Sequence, residues 1–289
     1  MQRVHEIPVE VWTGPPHADD QAARALEAGD VVFLPALRFR VEEREASIFT
    51  PAILGGAKSA SFDPRSDRLG GTTLTGTGAE ILQRLMRRFS DAAAILVDRL
   101  LPPYRGRVKQ ARASFRPAEI EGRVTSWRKD DTRLHVDSFP ATPSGSHRIL
   151  RLFANVNPSG RGRSWRIGGD FEGVAQRFAP QLRLPFPGSS VVLALLRVTK
   201  TPRTAYDALM LQLHDAMKAD DDFQRISPQT TMDFPAGSTW IAFTDQVSHA
   251  ATAGQYQLEQ TFLLPVDAML DESRSPLRIL ERLKGRRLA

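Results

Sequence analysis

Two histidines and an aspartate place the tightest constraint on how this chain can fold. His135 and Asp137 lie in Leu134-His135-Val136-Asp137-Ser138-Phe139, and His249 ends Thr244-Asp245-Gln246-Val247-Ser248-His249. In an extended strand, residues i and i+2 share a side, so His135 and Asp137 can reach one ion together. A ligand from position 249 then requires a second strand that folds back beside the first. Two imidazoles and one carboxylate gathered this way hold one face of Fe(II) and leave the opposite face open, as in a facial triad. The chain has only six histidines. Of these, His249 follows the β-branched and aromatic run Ser238–Thr244, which Pro235-Ala236-Gly237 introduces and which reads as a strand. His214 falls in a helical stretch and reads as a helix-face residue.

The pattern changes along the chain. Gln21–Ala28 reads as a short helix, Asp30–Leu34 as a strand closed by Pro35, and the Gly/Ser/Thr-rich residues 54–76 as loop. Thr77-Gly78-Ala79-Glu80 has the form of a capping box. Ile81, Leu82, Leu85, Met86, Phe89, Ala93 and Leu96 then recur at helical spacing, and the helix should end near Pro102-Pro103. From about Ser114 to Val266 the chain is mainly strand and turn. Candidate strands are Val124–Trp127, Leu134–Phe139, His147–Asn155, Ser190–Val198, Ser238–Thr244 and Leu258–Pro265, with a helix at Ala205–Lys218 among them. This is an α+β chain with a mainly β core. The expected form is a double-stranded β-helix (jelly roll, cupin-like) with flanking helices. Residues 1–273 are expected to form one domain and 274–289 a basic C-terminal helix or tail.

At 289 residues, 41% hydrophobic and 25% charged, the chain can bury a large core. The absence of cysteine excludes disulfides, thiolate zinc sites and iron–sulfur clusters. No leader-like or bilayer-length apolar stretch is visible, which leads us to expect a cytoplasmic protein. Its net charge of +6 is concentrated in the tail, where Arg274, Arg278, Arg282, Lys284, Arg286 and Arg287 face only Glu281. Ser275-Pro276 is a helix start, and Leu277, Leu280 and Leu283 make an apolar stripe. Such a helix either rests on an anionic membrane surface or packs by its leucines against the body. Nucleic acid is disfavoured, because no aromatic residues interleave with the basic ones.

Read at period two, residues 147–157 put Arg148, Leu150, Leu152, Ala154 and Val156 on one face, which should pack on the helices. The other face carries Arg151, Asn155 and Asn157, and a polar row on a central strand suggests a polar cavity. The guanidinium fork of Arg151 suits the distal carboxylate of a 2-oxo acid, with Asn155 beside it. The alternative for Arg151 is an internal Arg–Asp pair.

These features together resemble the Fe(II)/2-oxoglutarate dioxygenases. More closely, Arg128-Lys129-Asp130-Asp131-Thr132-Arg133-Leu134-His135-Val136-Asp137 and Arg148-Ile149-Leu150-Arg151-Leu152-Phe153-Ala154-Asn155-Val156-Asn157-Pro158 resemble the bacterial Kdo hydroxylase family. So do Tyr206–Asp215, Phe234–Trp240 and Glu259-Gln260-Thr261-Phe262, and the likeness runs over residues 25–266. The resemblance implies hydroxylation of the eight-carbon acidic sugar Kdo at C3, giving Ko on a lipid A–Kdo precursor of lipopolysaccharide. It also implies Fe(II) on His135, Asp137 and His249, with 2-oxoglutarate as cosubstrate. Most dioxygenases of this kind carry a cation soon after the distal histidine. Glu259-Gln260-Thr261-Phe262-Leu263-Leu264 offers none, so the charge is expected from Arg151, with Arg116 second, while Thr261 donates a hydroxyl. Arg116, Arg128, Lys129, Arg161, Arg163 and Arg166 are candidate phosphate or carboxylate contacts. The expected protein is cytoplasmic, meeting its substrate at the inner face of the inner membrane. Two other readings stay open: a same-fold dioxygenase for another acidic or lipidic substrate, and a non-catalytic cupin-like sugar-binding module. Zinc hydrolysis is remote, because His-x-Asp lacks a nearby general base.

Overall fold

The computed structural model describes residues 4–186, 195–196 and 198–289. Three layers stack around a central sheet. Its eight strands are β1 (Val4–Glu6), β2 (Val31–Leu34), β3 (Ala60–Asp63), β4 (Arg68–Gly70), β5 (Lys109–Arg116), β6 (Arg148–Asn155), β9 (Thr239–Phe243) and β11 (Gln257–Leu264). They run in the order β1-β2-β9-β6-β11-β5-β3-β4. On one face of this sheet lies a smaller one, β10-β7-β8, made of β7 (Arg163–Gly168), β8 (Gln229–Phe234) and β10 (His249–Ala253). The two sheets enclose a compact aromatic core of Phe33, Phe153 and Trp240 against Trp165 and Phe234. The arrangement is of the jelly-roll type, with no closed barrel among the described strands.

The other face of the central sheet carries α1 (Gln21–Glu27) and α2 (Gly76–Leu100). Four further helices, α3 (Phe171–Phe178), α4 (Ala205–Ala219), α5 (Asp221–Ile226) and α6 (Pro276–Lys284), pack on one another, α3 against α4 and α6, and α4 against α5. In α2, Leu82, Leu85, Met86, Phe89, Ala93, Leu96 and Leu100 are buried at the spacing of one helical stripe. They meet Leu150, Leu152 and Ala154 of β6, the face expected to be apolar, in one continuous core.

Several local expectations need correction. The N-cap of α2 is Thr75, with no side-chain cap, so Thr77 and Glu80 form no capping box. The helix begins two residues early, and Glu80 falls past the first turn, within 4.0 Å of Arg84. Residues 54–76 are not all loop, because β3 and β4 pair as a hairpin across Ser61–Gly70 and Asp63–Arg68. Ala60 and Phe62 are the buried positions of that short strand. Val124–Trp127 is not a strand, and Leu134–Phe139 contributes one bridge, between His135 and His249. Most of the candidate strand Ser190–Val198 lies outside the described residues.

The C-terminal helix packs by its apolar side. Ser275 caps α6 through its hydroxyl, which accepts from Arg278 N, with Pro276 at the first position. Leu277, Ile279 and Leu280 are buried, as is Leu288 beyond the helix, and Leu283 packs beside them. The basic residues are largely engaged as well. Arg278 pairs with Glu272 and Glu281, Arg274 with Asp271, and Lys284 Nζ donates to the carbonyls of Ala179 and Leu182.

Candidate metal centre

His135 and Asp137 reach the site from a segment that is nearly extended but pairs only locally. His135 exchanges both backbone hydrogen bonds with His249, at 3.0 and 2.9 Å, and Asp137 N donates to Thr244 O at 2.7 Å. This narrow antiparallel pair sets the two rings 4.7 Å apart, and β10 begins at the second of them. One ligand atom from each of His135, Asp137 and His249 lies within 4.8 Å of the others, and all three side chains are largely buried.

The tautomers follow from the hydrogen bonds. His135 Nδ1 lies 2.8 Å from Arg133 O and His249 Nδ1 lies 2.8 Å from Val247 O. A carbonyl can only accept, so each Nδ1 carries the proton and each Nε2 keeps a lone pair for a metal. Burial pushes both imidazoles below their ordinary pKa, and for His135 the neighbouring His249 adds to this. Burial alone would raise the Asp137 carboxyl, but Arg151 and the two imidazoles outweigh it and hold it well below the usual range. Asp137 Oδ2 is buried with no hydrogen bond, although Arg151 Nη1 stands 3.2 Å away. Two neutral imidazoles and an anionic carboxylate with an unsatisfied oxygen fit a borderline divalent cation such as Fe(II).

A cavity of about 150 Å³ opens onto these ligands. Its floor is buried: Phe153, Arg163, Trp165, Gln257 and Glu259. Its partly exposed wall is Arg116, Asp131, Ser138 and Phe139. Trp165 stacks on His249 at 5.0 Å and 22°, backed by Phe153 and Trp240, so the second histidine rests on an aromatic slab. Arg151 realises the Arg–Asp alternative: its Nη1 lies 3.2 Å from both Asp137 and Glu259. Arg116 Nε is bound to Glu259 at 3.0 Å. Lys58 reaches Asp131 at 3.0 Å and Lys218 reaches it at 4.0 Å. The cavity lining thus carries three cations, Arg116, Arg151 and Arg163, and three carboxylates, Asp131, Asp137 and Glu259, with Lys58 and Lys218 bound to Asp131 from behind.

Other expected residues fall elsewhere. Asn155 is committed to a turn: its amide donates to Arg161 O and Phe234 O, and its oxygen accepts from Asn157 N. Thr261 stands opposite Arg151 in register but does not line the cavity. Arg161 and Arg128 pair at the surface with Glu119 and Asp215. Arg166 donates to Thr132 O and Gln229. His214 is indeed on a helix face, but it meets His135 edge-on at 5.3 Å.

Arg163, one of the candidate phosphate or carboxylate contacts, lines the cavity, and Trp165 is the main cavity residue that the sequence reading missed. Their signal was the alternation Arg163-x-Trp165-x-Ile167, buried at every second position after the turn at Gly160-Arg161-Gly162. Arg163 is 3% exposed, and no carboxylate pairs with it among the described residues. Its Nη1 donates to Gly254 O, while its Nε has no partner. Burial and then the nearby Arg116 push it down to about 9, so it remains a cation at neutral pH.

The loop that delivers His249 is anchored from beneath. Arg148, fully buried, binds Asp245 at 2.8 and 3.3 Å and Gln246 at 2.6 Å, with its guanidinium 3.9 Å from the Phe243 ring centroid. Arg148→Leu leaves Asp245 buried without its partner and is expected to cost roughly 3–5 kcal/mol of stability. The double replacement Arg148→Met with Asp245→Leu should recover much of that loss. Denaturant unfolding checks both, and an unchanged midpoint in the single variant would show that the pair is dispensable.

Comparison with known proteins agrees with this geometry. The family profile of 3-deoxy-D-manno-oct-2-ulosonic acid (Kdo) hydroxylase matches residues 10–287. The chain is similar to crystal structures of the Kdo hydroxylase KdoO, a non-heme Fe(II) alpha-ketoglutarate dependent dioxygenase. With the cobalt(II) complex the identity is 45%, covering 99% of this chain and 97% of that one at a TM-score of 0.96. With the complex of alpha-ketoglutarate and Fe(III) it is 44%, covering 100% and 98% at a TM-score of 0.96. With the complex of succinate and Fe(III) it is 44%, covering 99% and 97% at a TM-score of 0.95. No curated protein matches the chain by sequence.

Proposed function

The chain belongs to the Kdo hydroxylase family and is a non-haem Fe(II)- and 2-oxoglutarate-dependent Kdo hydroxylase, and from that premise we propose that His135, Asp137 and His249 hold its iron. The observation that carries this is the pair of Nδ1–carbonyl hydrogen bonds, which leaves both Nε2 lone pairs beside an unsatisfied carboxylate oxygen. The bound metal supplies oxygen activation, coupled to conversion of 2-oxoglutarate to succinate and carbon dioxide. The protein's own part is to place the reactants and keep the site dry. Trp165 and Phe153 wall off water, and Arg151 holds Asp137 in its anionic state.

Arg163 is the seat we assign to the far carboxylate of 2-oxoglutarate. Arg151 already answers two carboxylates, and Thr261 lies outside the lining. Arg116 is taken by Glu259. Arg163→Met is therefore expected to weaken 2-oxoglutarate binding by about ten- to a hundredfold, the loss of one charge-assisted contact of roughly 1.5–3 kcal/mol. Calorimetric titration at fixed metal concentration reads it directly. An unchanged titration curve would return the role to Arg151 or Arg116.

Arg163, a buried lining cation that no carboxylate answers among the described residues, suits an anionic cosubstrate. The acceptor we assign is the Kdo of a lipid A–Kdo precursor, hydroxylated at C3 to Ko in lipopolysaccharide biosynthesis. On this reading the enzyme is cytoplasmic and works at the inner face of the inner membrane. No described helix is long and apolar enough to cross a bilayer, and α6 has its apolar side in the core. Mass spectrometry of the lipid-linked acceptor after incubation with the enzyme tests the assignment. One added oxygen on Kdo, stoichiometric with succinate, is the expected result. Succinate formation uncoupled from any mass change would point to another acidic or lipidic acceptor.

A further inference from the structure

Leu134, immediately before the first metal ligand, is fully buried, and its backbone faces away from β10. His135 spends its own N–H and C=O on His249. The N–H and C=O of Leu134 therefore point to the side where a further strand would lie, and none of the described strands is there. A side chain fills the place. Gln224 of α5 accepts from Leu134 N through Oε1 at 2.7 Å and donates to Leu134 O through Nε2 at 3.0 Å. The same Nε2 donates to Met217 O of α4 at 2.8 Å. The orientation of the carboxamide is dictated by these partners, one N–H and two carbonyls.

We propose that Gln224 is a positioning residue for the metal, its carboxamide standing in for a missing strand and fixing the segment that carries His135 and Asp137. Resting on the metal assignment above, this joins the ligand segment to the helical pair α4–α5. The surroundings reinforce the link. Arg133 pairs with Asp221 at the start of α5, and His214 of α4 meets the His135 ring edge-on. The bridge to His249 alone leaves residue 134 free to rotate its peptide plane, and with it the carbonyl of Arg133 that orients His135 Nδ1 at 2.8 Å. Loss of the Gln224 contacts thus reaches the ligand through the group that sets its tautomer.

Titration of the metal-free protein with Co(II), followed by calorimetry and by visible absorption, tests this. Gln224→Met keeps the shape and loses both contacts. Gln224→Glu keeps the acceptor but turns a second carboxylate oxygen toward two carbonyls. Both are expected to weaken Co(II) binding by roughly ten- to a hundredfold and to alter the absorption band that reports coordination geometry. The control is Ser90→Ala, which removes a buried hydrogen bond to Gln260 of 2.7 Å in the helical layer. It should lower the thermal midpoint and leave Co(II) binding unchanged. Native Co(II) affinity in both Gln224 variants overturns the proposal, as does an equal loss of affinity in Ser90→Ala. The same titration on His135→Ala separates the two readings. If that variant binds Co(II) like the native chain, the metal assignment itself fails. If it does not, and the Gln224 variants bind normally, only the positioning role fails.

Discussion

Alanine in place of His135, Asp137 or His249 is expected to abolish both iron retention and succinate release while leaving the fold intact. Each supplies one donor to a site of three, and no other His or carboxylate among the described residues joins that cluster. Changes to groups that merely support metal ligands already cost roughly ten- to a hundredfold in affinity, so losing a ligand should cost more. The fold should survive because the backbone bridge between residues 135 and 249 does not involve the side chains. Metal analysis of the purified variants, with circular dichroism alongside, is the measurement. Native iron content in all three variants would sink the assignment.

Deleting residues 274–289 is expected to prevent the chain from folding stably. The segment buries Leu277, Ile279, Leu280 and Leu288. At roughly 1.5–3 kcal/mol for each large apolar side chain, the sum is comparable to a typical total stability of about 5–15 kcal/mol, even after discounting for a compact unfolded state. Two further ties are lost: Leu288 O accepts from Tyr206 N of α4 at 3.1 Å, and Lys284 holds the end of α3 by the carbonyls of Ala179 and Leu182. Soluble yield and thermal midpoint report the effect. A detachable, membrane-seeking tail would instead leave a well-folded remainder that turns over a soluble Kdo fragment at the native rate.

The cluster of His135, Asp137 and His249 was legible because the i, i+2 rule is local and His249 follows a strand that the composition makes obvious. Strand β6 was legible for the same reason, and its period-two reading correctly turned Arg151 inward. What that reading leaves open is which charges meet across the sheet. Arg151 faces Glu259 and Asp137, and Arg148 faces Asp245, through strand pairings that only the folded topology creates. The smaller sheet was missed because its strands are short, and β8 buries only Phe234. Arg163 accordingly stood as one of six candidate anion contacts, with nothing to single it out. The tail showed its cap and its leucines plainly, but no sequence pattern says whether an apolar stripe meets lipid or the protein's own core.

The cavity above the metal ligands, about 150 Å³ with Arg163 on its floor and Ser138 and Phe139 at its partly exposed side, sets a timetable. On the reading that Arg163 seats the far carboxylate of 2-oxoglutarate, the cosubstrate takes the depth of this space and the acceptor sugar meets its opening. The cosubstrate is then expected to arrive first, with the sugar coming to rest across the opening as a stopper. Nothing below can leave until that stopper lifts, so the hydroxylated sugar departs before succinate. Whatever the sugar is attached to stays outside throughout, and its length and bulk can vary without touching the chemistry beneath.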